Sequence, residues 1–117
     1  MSTMDTTGIE AALRRDRAVT MAQLEQLRRD LDDVVTAAAD VATDDEHDPE
    51  GATIAYERSR TTALLAQAEA HLAEIALAVD RLAAGTFGTC DRCGRSVGTE
   101  RLQARPVART CIDCAAR

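Results

Sequence analysis

Two apolar seams run through this chain, and neither can stand alone. Leu24, Leu27, Leu31, Val34, Ala38 and Val41 step alternately by three and four residues. That spacing puts them on one face of a helix, in the pattern of a coiled-coil seam. Leu13 and Thr20 extend it backwards, more weakly. Thr61, Leu65, Ala68, Leu72, Ile75, Val79 and Leu82 repeat the pattern in the second half. A helix over Ile9–Ala42 would be about 50 Å long at a rise of about 1.5 Å per residue. An apolar stripe of that length needs a partner helix, and the second seam supplies it. With no Trp, one Tyr and one Phe in 117 residues, a large globular core is not expected. Ala, Leu and Val suit close helix pairing instead.

Between the seams lies Thr43–Ala52, with five carboxylates and no base. Asp48-Pro49 is a helix start: Asp caps free N–H groups, and Pro is tolerated at the first helical position. Glu50 then falls in the first turn, where the macrodipole favours an acid. The short connection makes the two helices antiparallel neighbours, with the acidic stretch as their tip. Gly85 ends the second helix. The expected organisation is a frayed N-terminus over 1–8, a coiled-coil hairpin over 9–84 with its tip at 43–52, and a small domain over 85–117. His47 reads as a solvated tip residue, and His71, beside Leu72, as pointing outward.

The net charge of −6 is unevenly spread, with −5 on Thr43–Ala52 and +3 on Gly85–Arg117. Acid at the tip argues against DNA wrapping and for a partner with a basic or metal-bearing pocket. The sequence shows no apolar run that reads as a membrane span and no charged-then-apolar leader, so the expected compartment is the cytoplasm. There thiols stay reduced, and four paired cysteines suggest metal rather than disulfides.

Those cysteines read Cys90-x2-Cys93, then Cys111-x2-Cys114, with 17 residues between the pairs. The spacing fits one structural Zn²⁺. Each C-x-x-C makes a knuckle that aims two thiolates at one point, and two knuckles complete a tetrahedron. With all four positions filled by thiolate, no open position is left for catalysis. Phe87, Val97, Leu102, Val107 and Ile112 are expected to pack around the site. Four thiolates and one Zn²⁺ would bring the tail to about +1, a weak basis for binding nucleic acid. No nucleophile–base set points to an enzyme.

Three segments now carry a resemblance. Gly85-Thr86-Phe87-Gly88-Thr89-Cys90, Arg101-Leu102-Gln103-Ala104-Arg105-Pro106 and Cys111-Ile112-Asp113-Cys114 resemble the zinc finger of the DksA/TraR family of bacterial transcription regulators. The resemblance is close over Gly85–Cys114 and architectural over the helices. It implies a protein that binds RNA polymerase directly, inserts its coiled-coil tip into the secondary channel and alters open-complex stability. It also implies a monomer without sequence-specific DNA binding. The family's tip commonly carries D-x-x-D-x-A. Asp48 matches the first Asp, while Gly51 and Thr53 stand at the second Asp and the Ala. Asp44, Asp45 and Glu46 are the other acids available for a tip contact. Some members respond to guanosine tetraphosphate through basic residues near the finger. Arg105 matches one of them, while Glu74 and Ala115 stand where those members have Lys, and Glu74 would repel a polyphosphate.

The sequence therefore describes an all-α protein: a long antiparallel coiled-coil hairpin with a small C-terminal four-Cys zinc finger. Its expected role is RNA polymerase-binding transcription regulation. A zinc-stabilised coiled-coil adaptor and a nucleic-acid-binding zinc ribbon are the competing readings.

Overall fold

The computed structural model describes residues 6–41 and 49–117, with side chains over 6–39 and 50–117. Four helices follow in order: α1 (Thr7–Val41), α2 (Pro49–Ala84), α3 (Thr99–Ala104) and α4 (Ile112–Ala115). The two long helices form a hairpin, and the described residues contain no named strand, only an isolated antiparallel bridge between Thr89 and Ser96. By contacts the chain divides into two compact units. One comprises Met1–Ala18 with Leu72–Arg117, and the other Val19–His71.

In the first unit, Ile9, Leu13, Ile75, Ala78 and Val107 form a buried cluster, with Leu82 and Phe87 packed against it. Leu13 and Ile75 are each 1% exposed, so the weak N-terminal extension of the seam is its best-buried part. The seam in α2 shifts by one residue here. Val79, expected inside, is 47% exposed, and Ala78 is fully buried in its place. The reason is helical phase. Steps of three and four can run in either order, and from Ile75 the order that reaches Leu82 through Ala78 keeps the smaller residue against α1. That allows the close approach Ala-rich helices favour.

The end of α2 shows how the chain turns into the finger. The Gly85 N–H donates to the Leu82 carbonyl at 3.3 Å and the Thr86 N–H to the Arg81 carbonyl at 3.0 Å. Together these bonds make a Schellman motif. It needs a residue at positive φ, and Gly85 supplies φ 77°. The Phe87 N–H also reaches the Arg81 carbonyl, at 3.2 Å. The reversal directs Phe87 back onto the helix pair it has just left.

The second unit is thinner. Among its described residues only Thr20 and Leu24 are buried, at 3% and 6% exposure, while Leu27, Leu31, Val34, Leu64, Leu65 and Ala68 are half-buried. Two helices can cover only one face of each other. An ion pair between Arg28 and Glu69 spans 4.0 Å, but both side chains are more than half exposed, so it adds little. His71, expected to point outward, is half-buried instead. It lines a groove of about 480 Å³ with Thr20, Leu27 and Leu64. Its position, one residue before a seam Leu, brings it to the edge of the interface.

By length and composition alone, α2 is apolar enough to cross a bilayer. An 18-residue window within Glu50–Ala84 reaches a mean hydropathy of 1.2, correcting the expectation that no run here does so. Alanine explains the difference, because it raises mean hydropathy without looking like a membrane segment. Here the helix lays one face on α1, and Gln67, Glu69, His71 and Glu74 interrupt the window.

Burial predicts a contrast between two neighbouring seam positions. Leu13→Ala should lower stability to urea by about 3 kcal/mol. Val79→Ala, which removes a half-exposed side chain, should cost under about 1 kcal/mol. Equal losses at both sites would show that Val79 packs in the seam after all.

Candidate metal centre

The finger begins with a tight turn. The Cys90 N–H donates to the Arg95 carbonyl at 2.7 Å, and the Gly94 N–H to the Cys90 carbonyl at 3.0 Å. Closing so short a loop takes a left-handed residue, and Gly94 has φ 76°. The Val97 N–H then bonds the Gly88 carbonyl at 2.8 Å, which ties the two arms of the knuckle together beside the Thr89–Ser96 bridge.

The second knuckle is prepared by α3. Leu102, fully buried, anchors that helix in a cluster with Cys90, Val97, Ala108 and Cys111. From the same helix, Arg101 Nε donates to the Thr110 carbonyl at 2.9 Å, one residue before Cys111. Two further bonds join the knuckles directly. The Asp91 N–H reaches the Arg109 carbonyl at 2.9 Å, and Arg92 Nη1 reaches the Cys114 carbonyl at 3.4 Å. Cys111 opens α4, whose first bond runs from the Ala115 N–H to the Cys111 carbonyl at 2.9 Å. Of the five apolar residues expected around the site, Val97, Leu102 and Val107 are buried and Phe87 is half-buried. Ile112 is not part of this packing: it is 69% exposed, because the first turn of α4 points it away from the cluster.

These elements bring together the sulfurs of Cys90, Cys93, Cys111 and Cys114. All four Sγ atoms lie within 4.8 Å of one another. Cys93 and Cys111 stand 3.7 Å apart. A Zn–S bond of about 2.3 Å places the sulfurs of a regular tetrahedron about 3.8 Å apart, so the set fits Zn²⁺. The donor chemistry fits as well, since four soft thiolates select zinc or an iron–sulfur centre over hard cations. The Arg92 N–H, 3.4 Å from Cys90 Sγ, supplies the backbone donor expected around a thiolate. The thiols themselves differ. Backbone amides, Cys111's foremost, hold Cys90 down to about 6. Hydrogen bonding among the sulfurs, Cys111's foremost, pushes Cys114 up to about 12. Cys90 is thus the sulfur that already carries charge near neutrality.

The other residues singled out in the sequence stand apart from this cluster. Asp44, Asp45, Glu46, His47 and Asp48 lie outside the described residues. Gly51 falls in the first turns of α2, not in the connection. Arg105 is exposed at the end of α3, where its N–H bonds the Arg101 carbonyl at 2.7 Å. Sequence reasoning missed the positioning role of Arg101. The only signal was its place in the R-L-Q-A-R-P segment, which spacing alone does not explain.

A hairpin of two long helices followed by a four-thiol knuckle pair defines a C4 zinc-finger protein of the coiled-coil type. Comparison with known proteins identifies the family. Residues 85–117 match the prokaryotic dksA/traR C4-type zinc finger. The chain is 31% identical over 105 residues to the RNA polymerase-binding transcription factor DksA of Escherichia coli K12, covering 90% of this chain and 70% of that protein. It is 46% identical over 41 residues to the Haemophilus influenzae protein of the same name, a match spanning 35% of this chain and 28% of that one. Among solved structures, transcription factor DksA2 from Pseudomonas aeruginosa aligns with a TM-score of 0.54 and 26% identity, covering 98% of this chain and 89% of that one. The chain belongs to the DksA/TraR family.

Two outcomes check the metal centre. Zinc affinity, measured by chelator competition, should fall on acidification, and the fall should steepen by one proton per metal below about pH 6. The sign follows from Cys90: above about 6 its sulfur is already bare, and below it a proton must be displaced. Arg101→Ala should weaken zinc binding about tenfold at pH 7.5, since the second knuckle loses its tie to α3. Unchanged affinity would mean that the metal alone orders that knuckle.

Proposed function

We propose that this protein is a transcription regulator that acts by binding RNA polymerase. The observation that carries the reading is the match across 90% of the chain to a protein named as an RNA polymerase-binding transcription factor. A match confined to the finger would support a zinc ribbon of any function. One that runs through both long helices supports a shared working part in the hairpin.

Within that reading, Cys90, Cys93, Cys111 and Cys114 hold one structural Zn²⁺. It supplies folding energy on the order of 10 kcal/mol to a small domain with little core of its own. The metal takes no part in any reaction, because every donor position is filled by protein. The hairpin enters the polymerase's secondary channel with the 43–52 end leading. Asp44, Asp45, Glu46 and Asp48 then meet basic side chains or a Mg²⁺-bearing centre. Arg105, exposed on the finger, contacts the channel rim. A pair of helices suits the role, since the seams of the two face each other and their remaining faces are free to meet the pore wall. Glu74, half-buried in α2, disfavours a polyphosphate nucleotide near the finger.

The test combines binding and transcription. Purified RNA polymerase should retain the intact zinc-loaded protein, and in vitro transcription should change when the protein is added. Asp45→Asn with Asp48→Asn should keep polymerase binding within about twofold and reduce the transcriptional effect at least about tenfold. Cys111→Ser should lose the metal and the near-native unfolding transition of the finger. Failure of the intact protein to bind polymerase would sink the reading and favour an adaptor role.

A further inference from the structure

The four sulfurs are not covered evenly. Cys90 and Cys111 are buried, in one cluster with Val97, Leu102 and Ala108. Cys93 is exposed and Cys114 is half-buried. Together with Cys111, these two line a groove of about 390 Å³. Its charged residues are Arg95, Asp113 and Arg117, all exposed.

Both arginines are tied to the knuckles through their backbones. The Arg95 carbonyl accepts the Cys90 N–H at 2.7 Å, and the Arg117 N–H donates to the Cys114 carbonyl at 3.3 Å. Arg92 Nη1 reaches that same Cys114 carbonyl at 3.4 Å. Among the described residues no ion pair engages Arg92, Arg95 or Arg117. Asp113 offsets one of the two guanidinium charges in the groove. Arg92, beside Cys114, brings the local excess back to two positive charges.

Four thiolates around one Zn²⁺ carry a net charge of −2. On the Cys90–Cys111 side that charge meets apolar side chains, which cannot solvate it. A low-dielectric wall on one side directs the field towards the other, which here is the groove. We propose that Arg95 and Arg117 are charge-compensating residues of the metal centre, whose guanidinium groups stabilise the zinc-bound thiolates of Cys93 and Cys114 from the groove. The effect is Coulombic and needs no contact with the metal. It depends on the sign of the charge and on ionic strength, and not on the shape of the guanidinium. This separates the pair from Arg92 and Arg101, whose hydrogen bonds to carbonyls hold the second knuckle in place. The pair retains the metal on the side where no side chain covers Cys93, whatever the hairpin binds.

The experiment measures the Zn²⁺ affinity of the full chain by chelator competition, at fixed neutral pH and at low and high salt. Arg95→Gln with Arg117→Gln should weaken binding about five- to tenfold at low salt, and under about twofold at about 1 M salt. Arg95→Lys with Arg117→Lys should stay within about twofold of the parent chain at both, since the charge is kept. Arg95→Glu should weaken binding more than Arg95→Gln. With Co²⁺ in place of Zn²⁺, the visible d–d bands should keep their positions in every variant, because the tetrahedron is untouched. An affinity indifferent to the glutamine pair overturns the proposal. So does a loss that persists at high salt, that lysine does not rescue, or that comes with shifted Co²⁺ bands. Any of those three would make the arginines geometric supports of the knuckles instead.

Discussion

Phe87 joins two small cores that would each be marginal alone. One lies between α1 and α2 and contains Ile9, Leu13, Ile75, Ala78 and Val107; the other surrounds the knuckles and contains Val97, Leu102 and the buried sulfurs of Cys90 and Cys111. The ring packs against both, and Val107 lends the finger's own residue to the helix core. In a chain with a single Phe and no Trp, this contact cannot be duplicated elsewhere. It depends in turn on the Gly85 reversal, which places Phe87 three residues beyond the helix end and facing back. A metal site can therefore be ordered by a helix pair, and a helix end by a metal site.

The knuckles show the same economy. A bare pair of C-x-x-C loops has four thiols and little else to hold them. Here backbone bonds between Asp91 and Arg109, and arginine bonds from Arg92 and Arg101 to carbonyls beside the second pair, draw the loops together. Arginine suits this task because its planar donor fork stays charged and reaches across a turn. The six arginines of the tail therefore do more than set its charge. At least two are structural, which reduces the basic surface left for a nucleic acid and is consistent with a protein partner.

Charge separates the two parts of the chain. The acids gather near the connection, and the bases gather in the finger. In the hairpin, most side chains off the seam are solvated.

Much of this was legible in the amino-acid order. The helices, the start of the second at Pro49 and its stop at Gly85, and the pairing of four cysteines follow from local rules: apolar period, capping chemistry, left-handed glycine and ligand spacing. Such rules involve residues close in sequence, so a sequence states them directly. Tertiary structure decided what depends on phase and distance. It chose Ala78 over Val79 for the interface, because two helices settle at the separation the smaller residue permits. It turned Ile112 to solvent, drew His71 to the edge of the interface, and set Arg101 under the second knuckle. Each of these outcomes is fixed by which distant surface a side chain meets, and no local pattern records that meeting.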